Sequence, residues 1–341
     1  MLSFITGVAG SVLTGEERKF LKDAKPWGLI VFKRNIESRV ALRALTDDFR
    51  TAVGWQAPVL VDQEGGRVQR LGPPHWSSYP PGAAYGALYD RDRDLGLAAA
   101  MLGARLIAAD LAEVGIDVDC APIADVPVAG ADPIIGDRAY GTDPAKVAAI
   151  AGAVAAGLLR GGVLPVLKHI PGHGRATADS HEKLPVVGTD RATLEASDFA
   201  AFRPLNALPL GMTAHVVFSA IDPVAPATTS VTIVRDVIRD SIGFSGLLMS
   251  DDISMGALSG SIGERTKAAI AAGCDMVLHC NGKMNEMLAV AAAVPELAGE
   301  AARRADSALA LRKPAAPIDT AARRAEFSKL MAGVVSAPGS A

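Results

Sequence analysis

The sequence predicts an α/β fold, a (β/α)8 TIM-type barrel built as a single domain. Short β-branched apolar runs recur about eight times over roughly 300 residues, separated by longer Ala- and Leu-rich segments with helical spacing. The runs are mostly continuous rather than alternating, as strands covered on both faces should be. The rival is a doubly wound sheet. It is weakened because no Gly-x-Gly-x-x-Gly follows an early strand and no P-loop is present.

Taken in order, the predicted strands fall at 4–8, 28–32, 58–62, 117–122, 164–169, 210–216, 246–250 and 276–279. The stretch from Leu95 to Val114 reads as a helix closed by Gly115. Thr142-Asp143-Pro144 then reads as an N-cap with proline in the first turn, and Val147, Ile150, Ala151, Val154 and Leu158 share one helical face. Gly161-Gly162 ends that helix. No internal repeat is found. The barrel domain is assigned to residues 1–312. Lys313-Pro314-Ala315-Ala316-Pro317 links it to one last amphipathic helical segment, and 336–341 reads as a frayed tail.

The 341 residues are half apolar and carry a net charge of −3 with both signs interspersed. No basic block or aromatic-basic stripe points to nucleic acid. Cys120, Cys274 and Cys280 are odd in number and form no Cys-x-x-Cys pair, so they read as buried reduced thiols. The start, Met1-Leu2-Ser3-Phe4-Ile5-Thr6-Gly7, has no basic region before its short apolar run, so no signal peptide is expected. No uninterrupted apolar segment is expected to span a membrane. A cytoplasmic protein with no membrane partner follows as the expectation.

Chemistry gathers at the predicted strand ends. The third strand runs into Asp62-Gln63-Glu64-Gly65-Gly66-Arg67-Val68-Gln69-Arg70, the fifth into Lys168-His169, the sixth toward His215 and the seventh into Ser250-Asp251-Asp252. In a barrel, residues at the C-terminal ends of strands build the site. Each has a bland reading as a turn residue, a core ion pair or a helix cap. Together, so many ionisable groups are expensive to bury for stability alone. Neighbouring strand residues face opposite sides, so only Asp251 is expected to face the pocket, with Asp252 capping the next turn or bonding a neighbour. After the fifth strand a Gly- and Pro-broken loop carries His169, His173 and His181, three of the six histidines. Its Gly172 and Gly174 suggest a loop that closes over substrate. His169, His173, Asp179 and His181 could instead hold zinc, although Pro171-Gly172 breaks the helix that usually aligns such a pair.

The runs Lys168-His169-Ile170-Pro171-Gly172-His173-Gly174 and Asp179-Ser180-His181 resemble the signature of family 3 glycoside hydrolases. The resemblance is nearest to bacterial single-domain β-N-acetylhexosaminidases of the NagZ type, with Ile170 where Phe is usual. The segment 237–254 matches the family's active-site pattern, departing at Ser241, where a charged or amide residue is usual. The runs 62–70 and Ile135-Gly136-Asp137-Arg138-Ala139-Tyr140 match its sugar-binding segments, and the likeness extends over roughly residues 1–290.

The resemblance implies that Asp251 is the nucleophile, His181 the general acid/base and Asp179 the group that orients it. It implies that Asp62, Arg70, Arg138, Lys168 and His169 hold an N-acetylglucosamine ring. His173 and His215 are assigned supporting roles. It further implies removal of N-acetylglucosamine from β-1,4-linked anhydro-muropeptides in cell-wall recycling, without cofactor or metal and by a chain expected to be a monomer.

The chemistry is consistent on its own terms. Glycoside cleavage needs a proton donor at the leaving oxygen and a nucleophile or base on the opposite face. Imidazole titrates near pH ~6.5 and can do both proton transfers near neutrality. Phosphorolysis, a β-glucosidase on the same fold, a substrate-assisted reaction and a non-catalytic sugar-binding protein stay open at this point.

Overall fold

The computed structural model describes residues 1–334; the tail expected to fray, 336–341, lies outside the described residues. Eight strands close into one barrel. They are β1 Leu2–Thr6, β2 Pro26–Val31, β3 Val59–Val61, β4 Val118–Asp119, β5 Leu164–Ile170, β6 Leu210–Thr213, β7 Leu247–Asp252 and β8 Met276–His279. Each pairs in parallel with its sequence neighbours, and β8 pairs with β1 to complete the ring. The strand fourth in order is shorter than expected because Pro122 has no N–H to give the ladder.

The continuous apolar runs are explained by two cores, one on each side of the sheet. Ile5, Ile30, Leu60, Leu247, Met249, Met276 and Leu278 belong to the cluster that fills the barrel. Their neighbours Phe4, Leu29, Val31, Val59, Val61, Leu248 and Val277 belong to the cluster beneath the helices. Successive side chains point to opposite faces, so both faces need apolar residues.

The helix Pro144–Arg160 starts as read, with the Asp143 side chain accepting from the Lys146 amide at 2.7 Å, and it buries Val147, Ile150, Ala151, Val154 and Leu158. The helix Arg93–Glu113 bears on the expectation that no uninterrupted apolar segment spans a membrane. By length and composition it is apolar enough to cross a membrane, although 61% of its most apolar window is buried inside this fold. The polar Arg105 and Asp110 interrupt its run but are themselves buried and bonded within the protein. The segment after 312 does not stand apart. Arg105 donates to the Ala316 carbonyl, and the C-terminal helix Thr320–Met331 buries Phe327 and Met331. Cys120, Cys274 and Cys280 are buried and form no disulfide.

Candidate active site

At the C-terminal ends of the strands lies a cleft of about 450 Å³. Asp62, Arg70, Arg138, Lys168, His169, His173, His181 and Asp251 all line it, and Asp252 joins them. Asp179 stands one contact behind His181, and His215 is fully buried behind the aspartates.

One wall is a network of largely buried ion pairs. After β3 the chain folds into a small hairpin, Gln63–Gly65 against Val68–Gln69, which turns Glu64 and Arg70 back over the barrel end. Lys168 Nζ bridges Asp62 Oδ1 at 3.0 Å and Glu64 Oε1 at 2.7 Å. Arg70 pairs with Asp62 Oδ2 at 3.0 Å, while Arg138 grips both oxygens of Glu64 at 2.9 Å. Burial opposes ionisation of Asp62, but Lys168 and Arg70 outweigh it and hold its carboxyl far below the usual range. Glu64 is held low in the same way by Lys168 and Arg138. Three cations against two carboxylates leave this wall with an excess of donors, suited to hydroxyl and carbonyl oxygens. Glu64 was not singled out from the sequence, although it stands inside the 62–70 run. Phe32, between Arg34 at 5.0 Å and Arg70 at 5.4 Å, was also missed.

Beneath this wall, Asp119 accepts from the Gln63 amide at 3.0 Å and leaves Oδ2 without a partner among the described residues. Burial, and then the charges of Asp62 and Glu64, push its carboxyl well above the usual range.

The second cluster is organised by Asp125, another residue not anticipated. Its Oδ2 meets His169 Nδ1 at 2.7 Å, and its Oδ1 accepts from the His173 amide at 2.6 Å. His173 Nε2 reaches Ser180 Oγ at 3.0 Å, and the two imidazoles meet edge to face at 5.8 Å. Burial, reinforced by His169, lowers the His173 pKa to about 4, so this ring is neutral near neutral pH. His169 and Lys168 are adjacent yet both reach the cleft. The peptide between them is cis, and the β5–β6 register shifts between Leu167 and Ile170.

The same irregularity corrects the reading of the aspartate pair. Both Asp251 and Asp252 line the cleft, because the β7–β8 register shifts between Met249 and Asp252 and breaks the strict alternation. Their tasks still differ. Asp252 is spent on local structure, accepting from Ser254 N at 3.0 Å, Ser254 Oγ at 2.7 Å and the Cys280 amide at 3.2 Å. Among the described residues Asp251 accepts only from the Asp252 amide, at 2.7 Å. Burial opposes its charge, but His215, His169 and that amide lower its pKa, leaving an ionised carboxylate with free lone pairs. His215 sits at the rear, bonded to the Asp252 carbonyl at 3.0 Å and to Thr228 Oγ1 at 2.7 Å.

At the rim, His181 Nδ1 meets Asp179 Oδ1 at 2.7 Å, and the same oxygen accepts from the His181 amide at 2.8 Å. This leaves Nε2 without a partner among the described residues, with the side chain 64% exposed. Burial works against the Asp179 charge, yet the amide and ring of His181 depress its pKa. The loop is seated on the chain after β7, where the Gly256 amide donates to the His181 carbonyl at 3.0 Å. Gly174 has a packing reason of its own beside the hinge reading. A Cβ at that position would lie 2.1 Å from the Val126 carbonyl oxygen, so close backbone approach requires the glycine. Among the described residues no three His, Cys, Asp or Glu side chains gather as a metal-sized cluster. His169 and His173 instead direct one ring nitrogen each to Asp125 and Ser180.

Residues 7–310 match the glycosyl hydrolase family 3 N terminal domain. The chain is 40% identical over 279 residues to a beta-hexosaminidase of Alkalilimnicola ehrlichii, spanning 81% of this chain and 79% of that one. It is 38% identical over 278 residues to a beta-hexosaminidase of Bordetella avium, spanning 80% and 79%. NagZ from Neisseria gonorrhoeae, solved in complex with N-trifluoroacetyl-D-glucosamine, is similar with a TM-score of 0.86 and 31% identity over 97% of this chain and 98% of that one. A β-N-acetylhexosaminidase from Beutenbergia cavernae gives a TM-score of 0.75 at 29% identity over 96% and 94%.

Proposed function

The chain belongs to glycosyl hydrolase family 3, and from that membership and the cleft geometry we propose that it is a retaining exo-β-N-acetylglucosaminidase. The observation that carries the reading is the contrast between two groups on one cleft. Asp251 is an ionised carboxylate with open lone pairs, and His181 is an imidazole held by Asp179 with Nε2 free. These are the two partners that glycoside hydrolysis by double displacement requires.

In the first step His181 gives its proton to the leaving oxygen while Asp251 attacks the anomeric carbon. The ring enters this step as the imidazolium, and Asp179 stabilises that charge through Nδ1 and fixes which nitrogen faces the bond, as the carboxylate does in a hydrolase triad. In the second step His181 takes a proton from water, which displaces Asp251 and releases the sugar with net retention. The donors Arg70, Arg138 and Lys168 hold the ring hydroxyls, with Asp62 accepting from them and His169 supported by Asp125. The N-acylglucosamine ligand in the similar Neisseria structure supports an N-acetylated sugar in this position.

The natural substrate we assign is a β-1,4-linked (anhydro)muropeptide, processed in cytoplasmic cell-wall recycling by a monomer that needs no cofactor.

The test is release of nitrophenol from the 4-nitrophenyl β-glycoside of N-acetylglucosamine, beside the corresponding glucoside, for the native chain and Asp251→Ala. Preference for the N-acetyl sugar and a fall on the order of 10³-fold or more in the variant support the reading. Equal cleavage of the glucoside would move the substrate. Turnover surviving Asp251→Ala would remove the nucleophile. Dependence of the product on phosphate would turn hydrolysis into phosphorolysis.

A further inference from the structure

The stretch matching the family ends at residue 310, yet the helix Thr320–Met331 touches the scaffolding of the sugar-binding wall. We infer that this C-terminal helix is a positioning element for the substrate loops, acting through Arg324. This rests on the reading that Asp62, Arg70 and Arg138 hold the sugar.

The connection runs through the segment 79–86, which is wedged between both substrate loops. On one side the Gly66 amide donates to the Tyr79 carbonyl at 2.9 Å, and a Cβ at Gly65 would lie 2.3 Å from the Pro80 carbonyl oxygen. On the other side, Cβ atoms at Gly82 and Gly86 would each lie 2.0 Å from a carbonyl oxygen, that of Arg138 and that of Tyr140. Backbone therefore meets backbone on both faces, with no flexible side chain between to absorb a shift. Gln69 adds a brace. Its amide nitrogen donates to the Ser77 and Leu71 carbonyls at 2.8 Å, and its oxygen accepts from the Tyr79 amide at 2.9 Å.

The C-terminal helix holds this wedge from behind. Arg324 Nη1 donates to Ser77 Oγ at 2.9 Å and Tyr79 Oη at 3.0 Å, and Nη2 pairs with Asp110 Oδ1 at 2.6 Å. Tyr79 Oη in turn donates to Asp110 Oδ2 at 2.7 Å. The Phe327 ring stands 6.3 Å from both Tyr79 and Tyr85. Asp110 is buried, so without Arg324 its charge keeps, among the described residues, only the tyrosine hydroxyl as side-chain partner. Tyr79 and the wedge would then shift together. The bidentate Glu64–Arg138 pair spans the two loops that rest on the wedge, so it is the first contact to lose register.

The experiment uses the full chain. We would compare native protein with Arg324→Met, Arg324→Lys, Tyr79→Phe and the control Arg323→Met, whose side chain pairs with Glu326 on the solvent face of the same helix. The readouts are kcat and KM on the N-acetylglucosaminide, and hydrogen exchange at the amides of Gly66, Arg70 and Leu71. Arg324→Met should raise KM on the order of tenfold with a much smaller change in kcat, and should speed exchange at those amides. Arg324→Lys should recover part of the loss because it keeps the charge without the fork. Tyr79→Phe should move both readouts in the same direction by less, and carries the test if Arg324→Met does not fold. Arg323→Met should match native. Native KM and native exchange in Arg324→Met and Tyr79→Phe, even with a lowered Tm, would overturn the inference. If the native chain leaves the glycoside intact, the proposed activity falls while the exchange pattern still decides the role of the helix.

Discussion

Two parts of the cleft are built on opposite plans. The wall formed by Asp62, Glu64, Arg70, Arg138 and Lys168 is paired at every member and largely withdrawn from solvent, with side-chain exposure running from 3% at Lys168 to 24% at Arg70. The rim formed by Asp179 and His181 is open, with the imidazole mostly in solvent. The wall fixes geometry before substrate arrives, so its groups need little reorganisation to bind a ring. The rim must exchange protons with a leaving group and with water, which a sealed site would impede. Preorganisation and access are thus assigned to different residues. Mutations in the two parts should fail in different ways.

The largest separation is expected at the rim. His181→Ala should lower turnover on the order of 10³-fold, and Asp179→Asn should lower it by less, while both leave stability within about 0.5 kcal/mol of native. Steady-state rates paired with urea unfolding check this, and a stability loss equal to that of a wall variant would erase the contrast. At the wall, Lys168→Met strips Asp62 and Glu64 of their shared cation and should destabilise by about 3 kcal/mol, visible as a lower urea midpoint. A neutral result there would mean that Arg70 and Arg138 already satisfy both carboxylates.

The smallest effect concerns His173, which lies between the two parts. Its folded pKa of about 4 lies below the value of about 6.5 expected when unfolded. Between these values the unfolded chain binds the extra proton, so this contribution to stability is intact above pH ~6.5 and is lost as pH falls toward ~4. From pH 7 to pH 5 the native chain should lose about 2 kcal/mol through this ring. His173→Gln should flatten that part of the profile. An unchanged slope would mean that the ring is protonated in the folded state.

Much of this was legible in the sequence for identifiable reasons. The eight strands announce themselves because a sheet covered on both faces needs uninterrupted apolar runs. The helix after Asp143 does so because cap, proline and glycines mark its ends. The cleft residues stand at strand ends, where a barrel displays polar groups. What stayed hidden depends on geometry that residue type does not encode. Register shifts in β5 and β7 place Lys168 with His169, and Asp251 with Asp252, on one cleft, whereas regular alternation would separate each pair. Glu64 needs the hairpin at 63–69 to turn it inward. Asp125 carries no motif of its own and gains its role only when β4 lies beside β5. Gly174 reads as a flexible joint in sequence, and only the Val126 carbonyl above it shows why a side chain is excluded.

The pairing of β1 with β8 has a consequence for biogenesis. Strand β1 leaves the ribosome before the other barrel strands but cannot meet its second neighbour until residues 276–279 follow. At about 5–20 residues per second, that is a delay of roughly 15 to 55 seconds. Throughout it one edge of β1 has no ladder partner, and an unpaired apolar edge is a template for joining other chains. The same closure that removes every edge from the finished sheet therefore makes the nascent chain depend on protection until its last strand arrives.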